Sequence, residues 1–177
     1  MRAVLRPWTP ADAPGLLACL VHSPDLAAQF GGTAPATLRG AAAYIETHLH
    51  HEDPDLTWAV VLDGVAVGNV GITGIERRHG TAWVSYWLSV PARGRGLAAR
   101  AVATAAAHVL DDGLFRLELG HRTNNPASCR VATRAGFAAE GVERAKLRYG
   151  TERFDVETHA RLASDPCPGL DPLPLLA

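Results

Sequence analysis

The sequence predicts an α+β fold with a mixed, mostly antiparallel central sheet flanked by helices. Three observations carry this. Apolar residues recur at helical spacing in two early segments, strand patterns separated by turn signals fill residues 57–88, and a helix, strand, short helix and hairpin follow in that order.

Leu5-Arg6-Pro7-Trp8 reads as a short strand that proline stops. Thr9 is placed to cap a helix with Pro10 at its first position and Asp12 in its first turn, running to about Leu20. Ser23-Pro24-Asp25 starts a further turn or short helix, which Phe30-Gly31-Gly32 ends. Thr37 caps a second long helix that carries Leu38, Ala41, Ala42, Ile45 and Leu49 on one face and ends near His50. Residues 57–62 form a strand, Asp63-Gly64 a hairpin turn and residues 65–73 the partner, where Gly68 and Gly71 signal bulges. Gly80 turns the chain into a third strand, residues 82–88.

From Leu97, the positions Ala98, Ala101, Val102, Ala105, Ala106, Val109 and Leu110 make a helix with one face for the sheet, closed by Gly113. Residues 115–120 form a strand parallel to the one at Val84, because a helical crossover separates them. Asn125 caps and Pro126 opens a short helix that ends at Gly136. Residues 142–149 and 153–162, around Gly150-Thr151, make a closing hairpin in which Arg144-Ala145-Lys146 weakens the first strand. Residues 1–163 read as one domain. Residues 164–177, with four prolines and no periodicity, read as a tail that is loosely attached or packed on another subunit.

With 177 residues and 47% apolar content, the chain is long enough for a packed core. A net charge of −1 argues against a nucleic-acid or membrane-surface partner, which would need a basic excess. Cys19, Cys129 and Cys167 are odd in number and unrelated in spacing, so neither a disulfide framework nor a zinc knuckle is indicated, and a reducing cytoplasm is expected. The apolar run at residues 16–21 is about a third of a membrane span, and no signal peptide or anchor is expected.

Residues 82–98 hold the functional signal: a strand, a break at Pro91, then Arg93-Gly94-Arg95-Gly96 opening the alanine-rich helix. Small residues admit an anion to the backbone, while the free N–H groups and dipole of a helix start attract negative charge. Arg93 and Arg95 add mobile positive charge, as a pyrophosphate requires.

The run Arg93-Gly94-Arg95-Gly96-Leu97-Ala98 resembles the pyrophosphate loop of the GNAT superfamily of acyl-CoA N-acyltransferases. The opening residues 5–12, Tyr86-Trp87-Leu88, Asn125-Pro126-Ala127-Ser128, Ala135-Gly136-Phe137 and Glu140-Gly141 stand in the order of its RimJ/RimL-like branch, which includes acetyltransferases of ribosomal-protein N-termini. The likeness spans residues 3–163. It implies a splay between the two central parallel strands, in which the pantetheine arm of acetyl-CoA lies. Backbone groups of Trp87, Leu88, Ser89 and Val90 would pair with the arm, and the amides of Arg93, Gly94, Arg95, Gly96, Leu97 and Ala98 would hold the pyrophosphate. Asn125 is similar to the family residue that contacts the arm, and Ser128 to the one beside the thioester sulfur. As residue types alone, Asn125 is equally a helix cap and Ser128 a first-turn residue.

The implied reaction is direct attack of a neutral amine on the thioester, with a backbone N–H near Leu88 on the oxyanion and Ser128 donating to the departing thiolate. Many members carry a glutamate early on the central strand; here Trp83 stands there and cannot accept a proton. Glu118, Glu76, His121 or a water chain remain as base, with Glu118 the catalytic candidate beside Ser128. An α-amine titrates near 7.7–8.0 and a lysine near 10.4, a difference of roughly 3.5 kcal/mol in deprotonation. A site without a strong base therefore favours an α-amine or similarly weak amine, from a protein N-terminus or a small molecule. The indoles of Trp58, Trp83 and Trp87 are candidates to shape the acceptor pocket.

Two other readings compete. Gly94-Arg95-Gly96-Leu97-Ala98-Ala99 also fits a dinucleotide fingerprint with Glu118 as ribose acid, although some eighty residues precede it without a βαβ repeat. A degenerate acyl-CoA sensor is the non-enzymatic alternative. His48, His50 and His51 lack a matching ligand set, so no metal is expected. The expected assembly is a monomer or homodimer.

Overall fold

In the computed structural model, residues 2–30 and 34–176 are described. The expected helix end at Gly31-Gly32 lies outside the described residues. The chain runs β1 (Ala3–Pro7), a 3-10 turn (Pro10–Asp12), α1 (Ala13–His22), a 3-10 segment (Pro24–Phe30), α2 (Leu38–His48), β2 (His51–Glu52), β3 (Asp55–Leu62), β4 (Val65–Glu76) and β5 (Thr81–Leu88). A 3-10 turn (Val90–Ala92) leads to α3 (Leu97–Asp111), β6 (Arg116–Arg122), α4 (Pro126–Arg134), β7 (Ala138–Tyr149) and β8 (Glu152–Leu162). The strands form one sheet in the order β1-β3-β4-β5-β6-β8-β7, with β2 paired to β3; only β5 and β6 are parallel.

Alternation along each strand builds two cores, one on each sheet face. Trp58, Val60, Val70, Ile72 and Val84 pack with Val102 and Ala106 of α3 on one face. Ala59, Val61 and Ala66 pack with Leu16 of α1 and Ile45 of α2 on the other. The buried face of α3 is rich in alanine, with Val102 and Val109 as larger side chains in the core it shares with the sheet.

The bulge between β3 and β4 falls at the shift from Val61↔Ala66 to Val60↔Gly68, so Gly68 adjoins it, whereas Gly71 sits in regular register opposite Thr57 and Ser85. Gly68 is needed for proximity: a Cβ there would lie 2.3 Å from Leu88 Cδ2 and 2.5 Å from the Trp87 carbonyl oxygen. In β7 the pairing slips between Glu143 and Leu147, where Ala145 adopts φ 53°, as the basic interruption suggested.

The tail corrects its expectation. It folds back on its own chain: Leu5 N–H donates to Pro174 O (2.9 Å), Leu176 N–H to Leu5 O (2.8 Å) and Leu173 N–H to Thr104 Oγ1 (2.9 Å). Leu173 is 2% exposed. Burying such a side chain contributes roughly 1.5–3 kcal/mol, and the backbone bonds to the open edge of β1 add to it.

At the start of α1, Arg6 donates two hydrogen bonds of 2.7 Å to Asp12, which also accepts from the Thr9 N–H at 3.0 Å. Burial alone would raise the Asp12 carboxyl, but the bonds from Arg6 and Thr9 outweigh it and hold the group below its ordinary 3.8. Asp12→Asn should cost about 1.5–3 kcal/mol, as for hydrogen bonds to charged groups. Because the folded value is the depressed one, the difference from wild type should be complete at pH 7. It should shrink below pH 3.8 and vanish as the pH passes the lowered folded value. Urea denaturation of both proteins across that range checks it.

Candidate active site

β5 and β6 pair only at Thr81↔Arg116, Ala82↔Leu117 and Trp83↔Glu118. Beyond Trp83, β5 continues on β4 and β6 continues on β8, so the two part and leave a cleft. The Ser89 N–H donates to Val67 O (2.9 Å), which fixes the phase of the β4–β5 ladder. By the one-residue alternation of antiparallel pairing, Tyr86 and Leu88 turn their peptide edges toward the cleft. Ser89 and Val90 do not: the Ser89 amide serves Val67 and the Val90 amide donates to Ser23 Oγ at 2.7 Å.

The cleft is about 580 Å³ and runs from Tyr86, Trp87 and Leu88 past Gly94, Gly96, Leu97 and Ala98 to Asn125 and Ser128. Gly94 and Gly96 have φ of 76° and 74°, in the left-handed region where a side chain is strained, and this is why glycine stands at both. Gly96 caps α3 without a side-chain acceptor. The Arg100 N–H to Gly96 O bond (3.2 Å) opens the helical ladder, so the N–H groups of Leu97, Ala98 and Ala99 precede it and point out of the helix end.

Arg93 departs from the expected mobile charge. Its Nε donates to Leu88 O (2.9 Å), its guanidinium pairs with Asp25 (2.7 Å), and its amide donates to Val90 O (3.1 Å). Arg95 is exposed beside it. Arg122, Arg130 and Arg134 also line the cleft; their positive charge was missed, although Arg130 and Arg134 stand at i,i+4 on α4.

Asn125 caps α4, its Oδ1 accepting from Ser128 N–H at 3.2 Å. The Ser128 hydroxyl meets the Tyr86 phenol in a short hydrogen bond across the cleft. Burial pushes the Tyr86 phenol above its ordinary 10.0, although the Ser128 bond opposes this. Tyr86 therefore stays protonated at neutral pH and is able to donate. Tyr86 and Ser128 each lie in a stretch that carries the family resemblance, but their meeting follows only from the facing of β5 and α4.

The base candidates lie elsewhere or are engaged. Glu118 lines neither this cleft nor the cavity beside it and accepts from Arg116 Nε at 2.8 Å. Glu76 accepts the Arg78 and His79 amides in the turn after β4. His121 is buried, with Nδ1 3.0 Å from Arg122 O and Nε2 3.0 Å from His159 Nε2. Of the tryptophans, Trp58 is 1% exposed in the core, and Trp87 packs on Trp8 and Phe30 at 6.0 and 5.8 Å. Trp83, 36% exposed, reaches a second cavity of about 380 Å³ that adjoins the first at Tyr86 and Ser128. Gly120 makes room for it, since a Cβ there would lie 3.2 Å from the indole.

A sheet opened between the parallel strands β5 and β6, with a glycine-rich helix start at the mouth, defines an acyl-CoA transferase fold. Residues 2–138 match the acetyltransferase (GNAT) domain family, and the chain belongs to it. A ribosomal-protein-serine acetyltransferase of Escherichia coli K12 is 28% identical over 115 residues, 64% of either chain, so the chain aligns with just under two thirds of that relative. Among solved structures, RimL, a ribosomal L7/L12 α-N-protein acetyltransferase in complex with coenzyme A, superposes with a TM-score of 0.82 at 20% identity, covering 92% of this chain and 94% of that one. The microcin C7 self-immunity acetyltransferase MccE, in complex with acetyl-CoA and AMP, superposes with a TM-score of 0.78 at 18% identity, covering 91% and 92%. The RimL-like resemblance and the mixed sheet expected from the sequence are both borne out, and the dinucleotide reading is set aside.

Proposed function

We propose that the chain transfers the acetyl group of acetyl-CoA to a primary amine, either the α-amine of a protein or peptide N-terminus or a small-molecule amine of similar basicity. One observation carries this reading: the cleft brings the free helix start after Gly96, the Leu88 peptide edge and the Tyr86–Ser128 pair to one continuous surface. The pyrophosphate lies on the amides of Leu97, Ala98 and Ala99, with Arg130 and Arg134 opposite as counter-charge. The pantetheine arm lies against Tyr86 and Leu88, and the acceptor enters from the cavity lined by Trp83 and Tyr149.

The amine nitrogen attacks the thioester carbonyl, and the oxyanion takes the Leu88 N–H. As the carbon–sulfur bond breaks, Ser128 donates to the thiolate while accepting from Tyr86. A thiol near 8.5 is more acidic than a phenol near 10, so the pair stabilises the charge more by hydrogen bonding than by full transfer. With Trp83 on the central strand and Glu118 held by Arg116, the amine gives its proton to water. We place this activity in the cytoplasm, in a monomer or homodimer. Among the described residues no helix is long and apolar enough to cross a membrane.

Gly96→Asp adds a carboxylate and left-handed strain where the phosphate rests, and acetyl-CoA affinity measured by calorimetry on the folded variant should fall at least tenfold. Unchanged affinity would move the pyrophosphate elsewhere.

Ser128→Ala and Tyr86→Phe should each lower kcat about 10- to 100-fold. Since Tyr86 acts through Ser128, the double variant should be about as slow as Ser128→Ala alone. Independent, multiplying losses in a steady-state cycle would break the relay.

With water as acceptor, kcat/KM should rise almost tenfold per pH unit and level near the amine's own pKa, about 8 for an α-amine and above about 10 for lysine. Peptides with a free α-amine should outrun N-blocked peptides carrying one lysine at pH 7. A plateau well below the amine's pKa would reveal a working base. A folded chain that binds acetyl-CoA yet turns over with no N-terminal peptide, polyamine, aminoglycoside or amino acid would be a sensor.

A further inference from the structure

Beside the cleft, four side chains from three elements converge: His121 of β6, Cys129 of α4, and Glu157 and His159 of β8, with their ligand atoms all within 4.8 Å of one another. His121 Nε2 and His159 Nε2 are 3.0 Å apart, and each lies 3.1 Å from Glu157 Oε2. The Cys129 Sγ lies within 4.8 Å of the other three ligand atoms. Both histidines are almost fully buried.

The backbone fixes which ring nitrogens face inward. His121 Nδ1 stands 3.0 Å from Arg122 O, and His159 Nδ1 stands 3.4 Å from Phe137 O. A carbonyl only accepts, so each Nδ1 carries a proton, and a ring that holds no second proton turns its Nε2 lone pair inward. Two lone pairs and a carboxylate oxygen then face one another at 3.0–3.1 Å. Such a triangle repels itself unless a positive charge occupies its centre.

We propose that His121, Cys129, Glu157 and His159 form a zinc site. Bonds of about 2.0–2.1 Å at tetrahedral angles set nitrogen and oxygen ligands about 3.3–3.4 Å apart, so the triangle needs to open by only about 0.3 Å. Cys129, as thiolate, closes the fourth vertex. The Nδ1–H bonds to backbone carbonyls are the outer partners that orient histidine ligands at such centres. With four protein ligands the site is closed, which makes its role structural rather than water-activating. It staples α4 to β6 and β8, and because Cys129 follows Ser128 it holds the first turn of the helix that presents that hydroxyl to the cleft. The competing occupant is a proton, which would turn one histidine into an imidazolium.

The whole chain, purified without a polyhistidine tag, is treated with a chelator and then given Zn²⁺ or Co²⁺ alone. One Zn²⁺ per chain should be retained through desalting and should raise the melting temperature. Co²⁺ should give a tetrahedral visible spectrum with a thiolate-to-metal charge-transfer band. Cys129→Ser should abolish that band, and Cys129→Ser and His159→Gln should each weaken Zn²⁺ binding by more than the 10- to 100-fold typical of an outer partner. Circular dichroism establishes that the variants are folded; should His159→Gln fail this, the charge-transfer band and its loss in Cys129→Ser decide alone. A folded wild-type chain that retains no Zn²⁺, shows no charge-transfer band and melts at the same temperature with and without Zn²⁺ overturns the site and leaves a proton there.

Discussion

The parting of β5 and β6 after three paired residues is the constraint on which the rest of the molecule depends. Parallel strands exchange slanted hydrogen bonds with both neighbours, so ending the pairing early exposes peptide edges that water or a ligand must satisfy. The sheet bears that cost because each strand keeps its outer neighbour: β4 holds β5 to Leu88 and β8 holds β6 to Arg122. Gly68 and Gly120 maintain the opening from its two sides. The first lets β4 lie against Leu88, and the second accommodates the Trp83 indole at the fork.

Around the fork the charges are distributed by role. Arg93, expected to supply charge for an anion, instead ties the Leu88 carbonyl to Asp25 and so braces the end of β5 against the segment after α1. Arg122, Arg130 and Arg134, from the end of β6 and from α4, add to the positive lining. The Arg93 guanidinium, five residues past Leu88, folds back on its own turn, whereas Arg130 and Arg134 line the wall that α4 supplies. Beside the cleft, the His121, Cys129, Glu157 and His159 cluster joins the same helix to β6 and β8. The helix that offers Ser128 is thus fixed by its Asn125 cap, by packing of Ala132 into the core, and by this polar cluster beneath it.

Much of this architecture was written locally in the chain. Thr37 and Asn125 cap the helices they were expected to cap, because a short polar side chain satisfies an orphan amide within three residues of itself. Asp63-Gly64 makes its hairpin, with Asp63 at φ 49° and Gly64 at φ 88°, and the small-residue turn at Gly94 and Gly96 opens α3. Each decision is taken between residues near one another in sequence, and pattern alone reports it. The order of motifs likewise placed the chain in its family.

Contacts between distant segments left no such mark. Glu118 had the residue type of a base, but its direction off β6 and its pairing with Arg116 depend on strand order and on neighbours brought alongside by folding. Tyr86 stood next to Trp87 in the sequence, and only the sheet's alternation turned one toward Ser128 and the other into the core with Trp8. The tail looked unattached because prolines erase periodicity, yet β1 presented an open edge to bind it. Cys129 and His159 are thirty residues apart, and their convergence arises from β8 inserting between β6 and β7. The sequence by itself determined the elements, their caps and turns, and the glycine turn that opens α3, since these are settled by short-range sterics and hydrogen bonding. The tertiary structure alone decided which side chains meet, because strand order and the face each residue presents are set by burial of the whole sheet.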